Sequence, residues 1–216
     1  TFLGAPKVHW WIGSGLMIFG ALIIMGGVRR LAYVSEKLIP FMSIIYILGC
    51  LLVIVLRISM LPNVVLSIFR FAFGPAAIRG GAAGTAVQLM INTVKSGVKR
   101  GVFSNEAGLG SSVMAHVNTC TREPVQQGMW GIAEVFLDTI VICTMTALVV
   151  LGSGMIDLNT GLASEHVDDA TLVARAFGNT LGRPGEIFVV IAIALFAFST
   201  VMGWSYYGGK VVEYMI

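Results

Sequence analysis

The chain has 216 residues, 56% hydrophobic and only 12% charged, with a mean hydropathy of +0.87. Soluble domains carry roughly 25% charged residues, so the composition excludes that class and indicates an all-α polytopic membrane protein. A net charge of +3 is too weak to argue for a nucleic-acid partner, and the scattered Cys50, Cys120 and Cys143 form no disulfide framework or metal site. His9, His116 and His166 lie far apart in sequence and suggest no zinc cluster. The 26 glycines suit tightly packed membrane helices, where small residues let backbones approach. No initiator Met or signal peptide precedes the first helix, so the chain is read as an internal portion of a longer protein.

The first span is expected over about residues 9–28, with Trp10 and Trp11 marking an interface. Arg29 and Arg30 close it, and a short linker is expected over residues 31–37. The second span runs over about 38–56, with Pro40 in its first turn, where a missing N–H does no harm. Both approach the roughly 20 apolar residues needed to cross a bilayer. Arg29, Arg30 and Lys37 favour a cytoplasmic first linker, whereas Arg57, Arg70 and Arg79 would then lie outside, against the positive-inside rule.

Residues 62–73 read as a short amphipathic helix on the membrane surface, with Leu66, Phe69 and Phe73 on one side, ended by Pro75 and the Gly80-Gly81 pair. Residues 85–98 read as a helix too polar to face lipid, since it carries Gln88, Asn92 and Lys95 and runs into Lys99 and Arg100.

That helix leads into GVFSNEAGLGSSVMAHVNT, residues 101–119, a polar segment broken by Gly101, Gly108 and Gly110. Unpaired backbone groups cost several kcal/mol in hydrocarbon, so such backbone survives only inside protein or along a wet cavity. In transporters, broken helices of this kind form the substrate site near the midplane. A short loop outside the membrane is the alternative reading of the same composition.

After a loop at Thr121 to Pro124, a span is expected over about 126–151, holding Glu134 and Asp138 four residues apart and so on one face. A polar loop covers 152–169, and residues 170–177 form a short surface helix. The last span runs over about 186–207, with Ser199 and Thr200 inside it and Trp204, Tyr206 and Tyr207 at its exit.

Four groups of side chains could carry chemistry. Asn105 and Glu106 sit in the broken segment, where helix-half N-termini suit a carboxylate and freed carbonyls suit a cation, or else they are loop residues near a helix cap. Ser199 and Thr200 either bond their own helix backbone or offer oxygen to a hard cation. Asp138, the deeper of the two acids, is either functional or a structural partner for a cation such as Lys95 or Arg100. His116 reads as an interfacial residue.

Three blocks identify a family resemblance: GVFSNEAGLGSS followed by AHVNTCTREPVQQGMWGIAEVFLDTIVICTMTALV, then GGVRRLAYVSEKLIPFMSIIYILG, and LFAFSTVMGWSYYG. They are similar to the alanine or glycine:cation symporter family, also called sodium:alanine symporters, and the likeness runs through nearly the whole chain. It implies a leucine-transporter-type inverted-repeat fold, of which this chain resembles about segments four to eight. Residues 85–117 would then lead through the broken sixth helix, 126–151 would be the seventh and 186–207 the eighth, with 170–177 an extracellular loop helix and 29–37 cytoplasmic. The first helix, which supplies much of the sodium and carboxylate shell in this fold, would be missing.

The resemblance further implies sodium-coupled symport of a small neutral amino acid, alanine or glycine, by a multi-pass protein of the inner (plasma) membrane. Sodium would be the coupling ion, with no other cofactor. Phe103, Ser104, Asn105 and Gly108 would contribute to the substrate pocket, and Ser199 and Thr200 would contact substrate or sodium, Thr200 chiefly the ion. An enzyme or channel using Glu134, Asp138 and His116 is the alternative, although the chain carries no HExxH or GxSxG motif.

Overall fold

The computed structural model describes residues 6–73, 85–159 and 168–216. Pro75, Arg79, the Gly80-Gly81 pair and His166 fall outside the described residues, as do the side chains of His9, Trp11, Phe73, Gln88 and Asn92.

Helix α1 spans Pro6–Ile24, and Met25 and Gly26 close it by donating to Ala21 O (2.9 Å) and Ile23 O (3.0 Å). Gly27 then takes φ +74°, a conformation open to glycine, and the chain restarts at once as α2, Gly27–Leu56. This corrects the expected helix end at Arg29-Arg30 and the linker over 31–37. The segment Leu31 to Lys37 contains no glycine or proline, and its charges are simply exposed along a helix. Within it the Lys37 ammonium lies 4.2 Å from the centroid of the Tyr33 ring, one turn away. Pro40 accordingly lies inside α2 and not in a first turn. Its ring nitrogen cannot donate, which leaves the Glu36 carbonyl without its i+4 partner.

A 3₁₀ turn, Ile58–Met60, leads into α3, Leu61–Phe73. Leu66 and Phe69 share a face, as expected, and it is the outward one. Val64 and Ser67 supply the buried side. Helix α4 is Thr85–Ser104 and α5 is Ser111–His116. Helix α6 covers Pro124–Gly152, but its middle, Phe136–Cys143, is π-helical. Helix α7, Asp169–Leu181, is longer than the expected 170–177 and ends at Gly182, φ +71°. Helix α8 runs Arg183–Met215.

Among the described residues, α2, α6 and α8 are long and apolar enough to cross a membrane. Their outward surface suits hydrocarbon: Ile44, Leu48, Leu51, Leu52 and Val55 along α2 are all exposed.

The chain divides into two compact units, Thr1–Tyr46 with Val190–Ile216, and Ile47–Val189. In the first, Phe19 stacks on Phe198 with centroids 5.5 Å apart, and the Tyr46 and Phe196 rings meet edge-on at 5.6 Å. In the second, Cys50, Val53, Val64, Val149, Phe177 and Val189 are no more than 1% exposed. α3 and α7 both pack on the C-terminal third of α6. A polar chain ties the ends together. Arg57 Nη2 donates to Asn179 O (3.0 Å), Asn179 Nδ2 to Ser153 O (2.7 Å), and Ser153 Oγ to Val150 O (2.7 Å). Carbonyls left over at two helix ends thereby find donors.

Candidate functional site

α4 ends at Ser104 and α5 begins at Ser111, so the glycine-marked segment is a real interruption of helix. Asn105 N–H still donates to Gly101 O (3.1 Å), but Ala107 N–H reaches back five residues to Val102 O (3.0 Å). The carbonyls of Phe103 and Ser104 receive no backbone N–H among the described residues. Glu106, Gly108 and Gly110 have φ of 49°, 78° and 75°. Glycine takes such values freely, whereas a residue with a Cβ pays roughly 1–2 kcal/mol. Glu106 is held there from the side: Ser111 Oγ donates to its Oε2 at 2.6 Å, linking the loop to the first residue of α5.

The π-helical turn of α6 faces the end of α4. Ser104 Oγ donates to Asp138 Oδ2 at 2.5 Å, and Thr139 Oγ1 donates to Asn105 Oδ1 at 2.8 Å. Two successive residues at the end of one helix are thus held by two successive residues of another. Asp138 and Thr139 are half-buried, as is Asn105. Each bond uses a proton that would otherwise be spent on water or on the helix backbone, and the bond to Asp138 is strengthened by charge.

Three expectations need correction or placement. The side-chain partner of Asp138 is the Ser104 hydroxyl and not the expected cation, Lys95 or Arg100. Glu134 and Asp138 do not share an environment, because the π-helical turn begins between them. Glu134 is exposed and makes no hydrogen bond or ion pair with the described residues, while Asp138 is drawn inward. His116 Nδ1 lies 2.6 Å from Gln127 Nε2, so the ring is tied to the start of α6.

Phe103 is 63% exposed at the edge of the break, and Gly108 presents bare backbone with open space around it. Ser199 and Thr200 belong to the other unit, on α8. Both donate to one carbonyl, Phe196 O, at 2.8 and 3.0 Å. A hydroxyl that donates to its own helix still has both oxygen lone pairs to offer.

Sequence reasoning passed over Thr139 and Ser111. The available signal for Thr139 was a hydroxyl next to an intramembrane acid; for Ser111 it was the first helix former after a glycine pair.

Comparison with known proteins agrees along the whole chain. A family model described as the sodium:alanine symporter family matches residues 3–216. An uncharacterized transporter of Haemophilus influenzae is 42% identical over 196 residues, covering 90% of this chain and 41% of that protein. The sodium/alanine symporter AgcS of Methanococcus maripaludis is 40% identical over 204 residues, covering 94% and 43%. The probable sodium/glutamine symporter GlnT of Bacillus subtilis is 37% identical over 193 residues, covering 89% and 37%. The chain spans about two-fifths of the length of these relatives.

Proposed function

The chain belongs to the sodium:alanine symporter family, and from that premise we propose that the whole protein of which it is part carries a small neutral amino acid, alanine or glycine, into the cell together with sodium. The symport proceeds by alternating access in the inner (plasma) membrane, on a leucine-transporter-type inverted-repeat fold of which this chain supplies about segments four to eight. The spans are proposed as α1, α2, α4 and α5 with the break between them, α6 and α8.

The observation that carries this reading is the interruption between Ser104 and Ser111. It combines bare carbonyls, left-handed backbone and a braced carboxamide in a chain that has, among the described residues, three helices long and apolar enough to span. Irregular polar backbone at membrane depth is tolerated where it lines a polar cavity, and in secondary transporters that cavity is the binding site. Phe103, Ser104, Asn105 and Gly108 are assigned to the substrate. On their own unit, Ser199 and Thr200 are assigned as oxygen contacts, with Thr200 a sodium ligand, because a hydroxyl oxygen suits a hard cation. The relative named for alanine favours a small substrate, and the one named for glutamine marks the nearest competing choice.

The test uses the full-length protein in proteoliposomes, with labelled L-alanine uptake driven by an inward sodium gradient. Uptake that collapses when the gradient is removed supports sodium symport. Equal uptake with potassium alone overturns it, and preferential uptake of glutamine moves the substrate assignment.

A further inference from the structure

Hydroxyl side chains on helices usually return their proton to a carbonyl three or four residues back. Ser67, Thr146, Ser153, Ser199, Thr200 and Ser205 all do so here. Thr139 does not. Its proton goes across to the Oδ1 of Asn105, 34 residues earlier in the chain. A threonine that gives up the local bond for a distant side chain fixes the orientation of that side chain.

A carboxamide has one accepting end and one donating end. With Oδ1 engaged by Thr139, the Nδ2 end is left to donate elsewhere. Among the described residues it meets no acceptor, so its two N–H groups are unspent. The neighbouring Asp138 receives Ser104 on Oδ2, and Asn105 Oδ1 receives Thr139, so the acid and the amide have separate donors.

We propose that Thr139 is a positioning residue that locks the Asn105 carboxamide with its N–H groups presented to the break, so that Asn105 meets the ligand as a donor and reads the carboxylate end of an amino acid. The inference rests on the reading of the break as the substrate site. It adds the role of Thr139 and the polarity of the Asn105 contact. Thr139 itself does not touch the substrate. Without its hydroxyl, the amide is free to turn over and present Oδ1, which repels a carboxylate.

The experiment measures alanine KM and kcat for the full-length protein in proteoliposomes. Thr139→Val, nearly isosteric, is expected to raise KM about tenfold with kcat changed by less than about twofold, the signature of lost binding rather than lost turnover. Thr139→Ser restores the wild-type KM. Thr139→Val placed in an Asn105→Ala background adds nothing further, because the group to be oriented is gone. Asn105→Asp keeps the acceptor for Thr139 but replaces the N–H donors with charge, and it loses at least as much affinity as Asn105→Ala. This arm decides the polarity of the Asn105 contact even if Thr139→Val fails to fold, in which case Thr139→Ala carries the positioning test with the same expected rise in KM. A wild-type KM in Thr139→Val or Asn105→Asp, or additive losses in the double variant, overturns the proposal. The two readings separate cleanly. A wild-type KM in Asn105→Ala removes the break from the substrate site altogether, whereas an impaired Asn105→Ala beside a normal Thr139→Val removes only the positioning role.

Discussion

Ser104 Oγ lies 2.5 Å from Asp138 Oδ2, so the last residue of α4 hands its proton to a carboxylate in the middle of α6. The acid therefore fastens the point at which the helix stops. Asp138→Asn keeps an oxygen to accept Ser104 and should cost less than losing the acceptor altogether. Asp138→Leu removes the acceptor, and because Ser104 is exposed it should lower unfolding free energy by about 0.5–1.5 kcal/mol. Thermal unfolding in detergent checks this, with Ser104→Ala as the partner variant. If Asp138→Leu and Ser104→Ala act independently when combined, the bond contributes nothing.

The left-handed positions set a second expectation. A Cβ at Gly108 would meet no atom within 4 Å, so space is not the constraint, but φ +78° is. Gly108→Ala should cost about 1–2 kcal/mol through backbone strain alone. Gly101→Ala, in the helical part of the same motif, should be neutral or stabilising by up to about 1 kcal/mol. Equal effects at the two positions would mean that backbone conformation is not what these glycines provide.

For Thr200, the bond to Phe196 O accounts for the proton and leaves the oxygen lone pairs available. In the full-length protein, Thr200→Ala should raise the sodium concentration needed for half-maximal uptake at saturating alanine. Thr200→Ser keeps the oxygen and should be milder. Superimposable sodium curves for wild type and both variants would leave Thr200 as a packing residue.

Burial separates two phenylalanines of the second unit. Phe177 is 0% exposed with its ring centroid 5.7 Å from that of Phe188, while Phe69 is 59% exposed on α3. Phe177→Ala should cost about 3–5 kcal/mol, most of it from the cavity left behind. Phe69→Ala should cost well under that, because its side chain is 59% exposed and loses less burial. Comparable losses of melting temperature for the two would contradict the packing described for α7.

Residue chemistry made some of this legible. Glycine at positions 108 and 110 marks a place where helix cannot comfortably continue, and the chain does leave the helix there. The boundary between α7 and α8 lies at Gly182, whereas the expected elements stopped at 177 and resumed at about 186. The continuity of α2 was not legible, because a cluster of charge reads equally well as a helix end. Arg29, Arg30, Glu36 and Lys37 are all tolerated on a helix surface, and it is Gly27 that turns the chain. The π-helical turn has no signature in residues 136–143, since Phe, Leu, Ile and Val accept either winding. The pairing of Asp138 and Thr139 with Ser104 and Asn105 therefore had to come from the structure: it depends on how two distant helices meet, not on spacing within either.

That turn also sets a phase. Upstream of it, residues 124–135 of α6 include no buried side chain, while downstream Val149 and Val150 anchor the helix in the core. Bonding from i to i+5 takes up one residue more than an α-turn does. The extra residue is slack taken up inside the turn, so residues 124–135 keep nearly the phase toward Val149 and Val150 that a helix one residue shorter would give them. Deleting one residue between Val141 and Cys143 would return the turn to α winding with little net rotation of that upstream stretch, whereas the same deletion in a purely α-helical segment would turn it by about 100°. The winding around Asp138 and Thr139 can therefore change while both flanks of α6 stay in register.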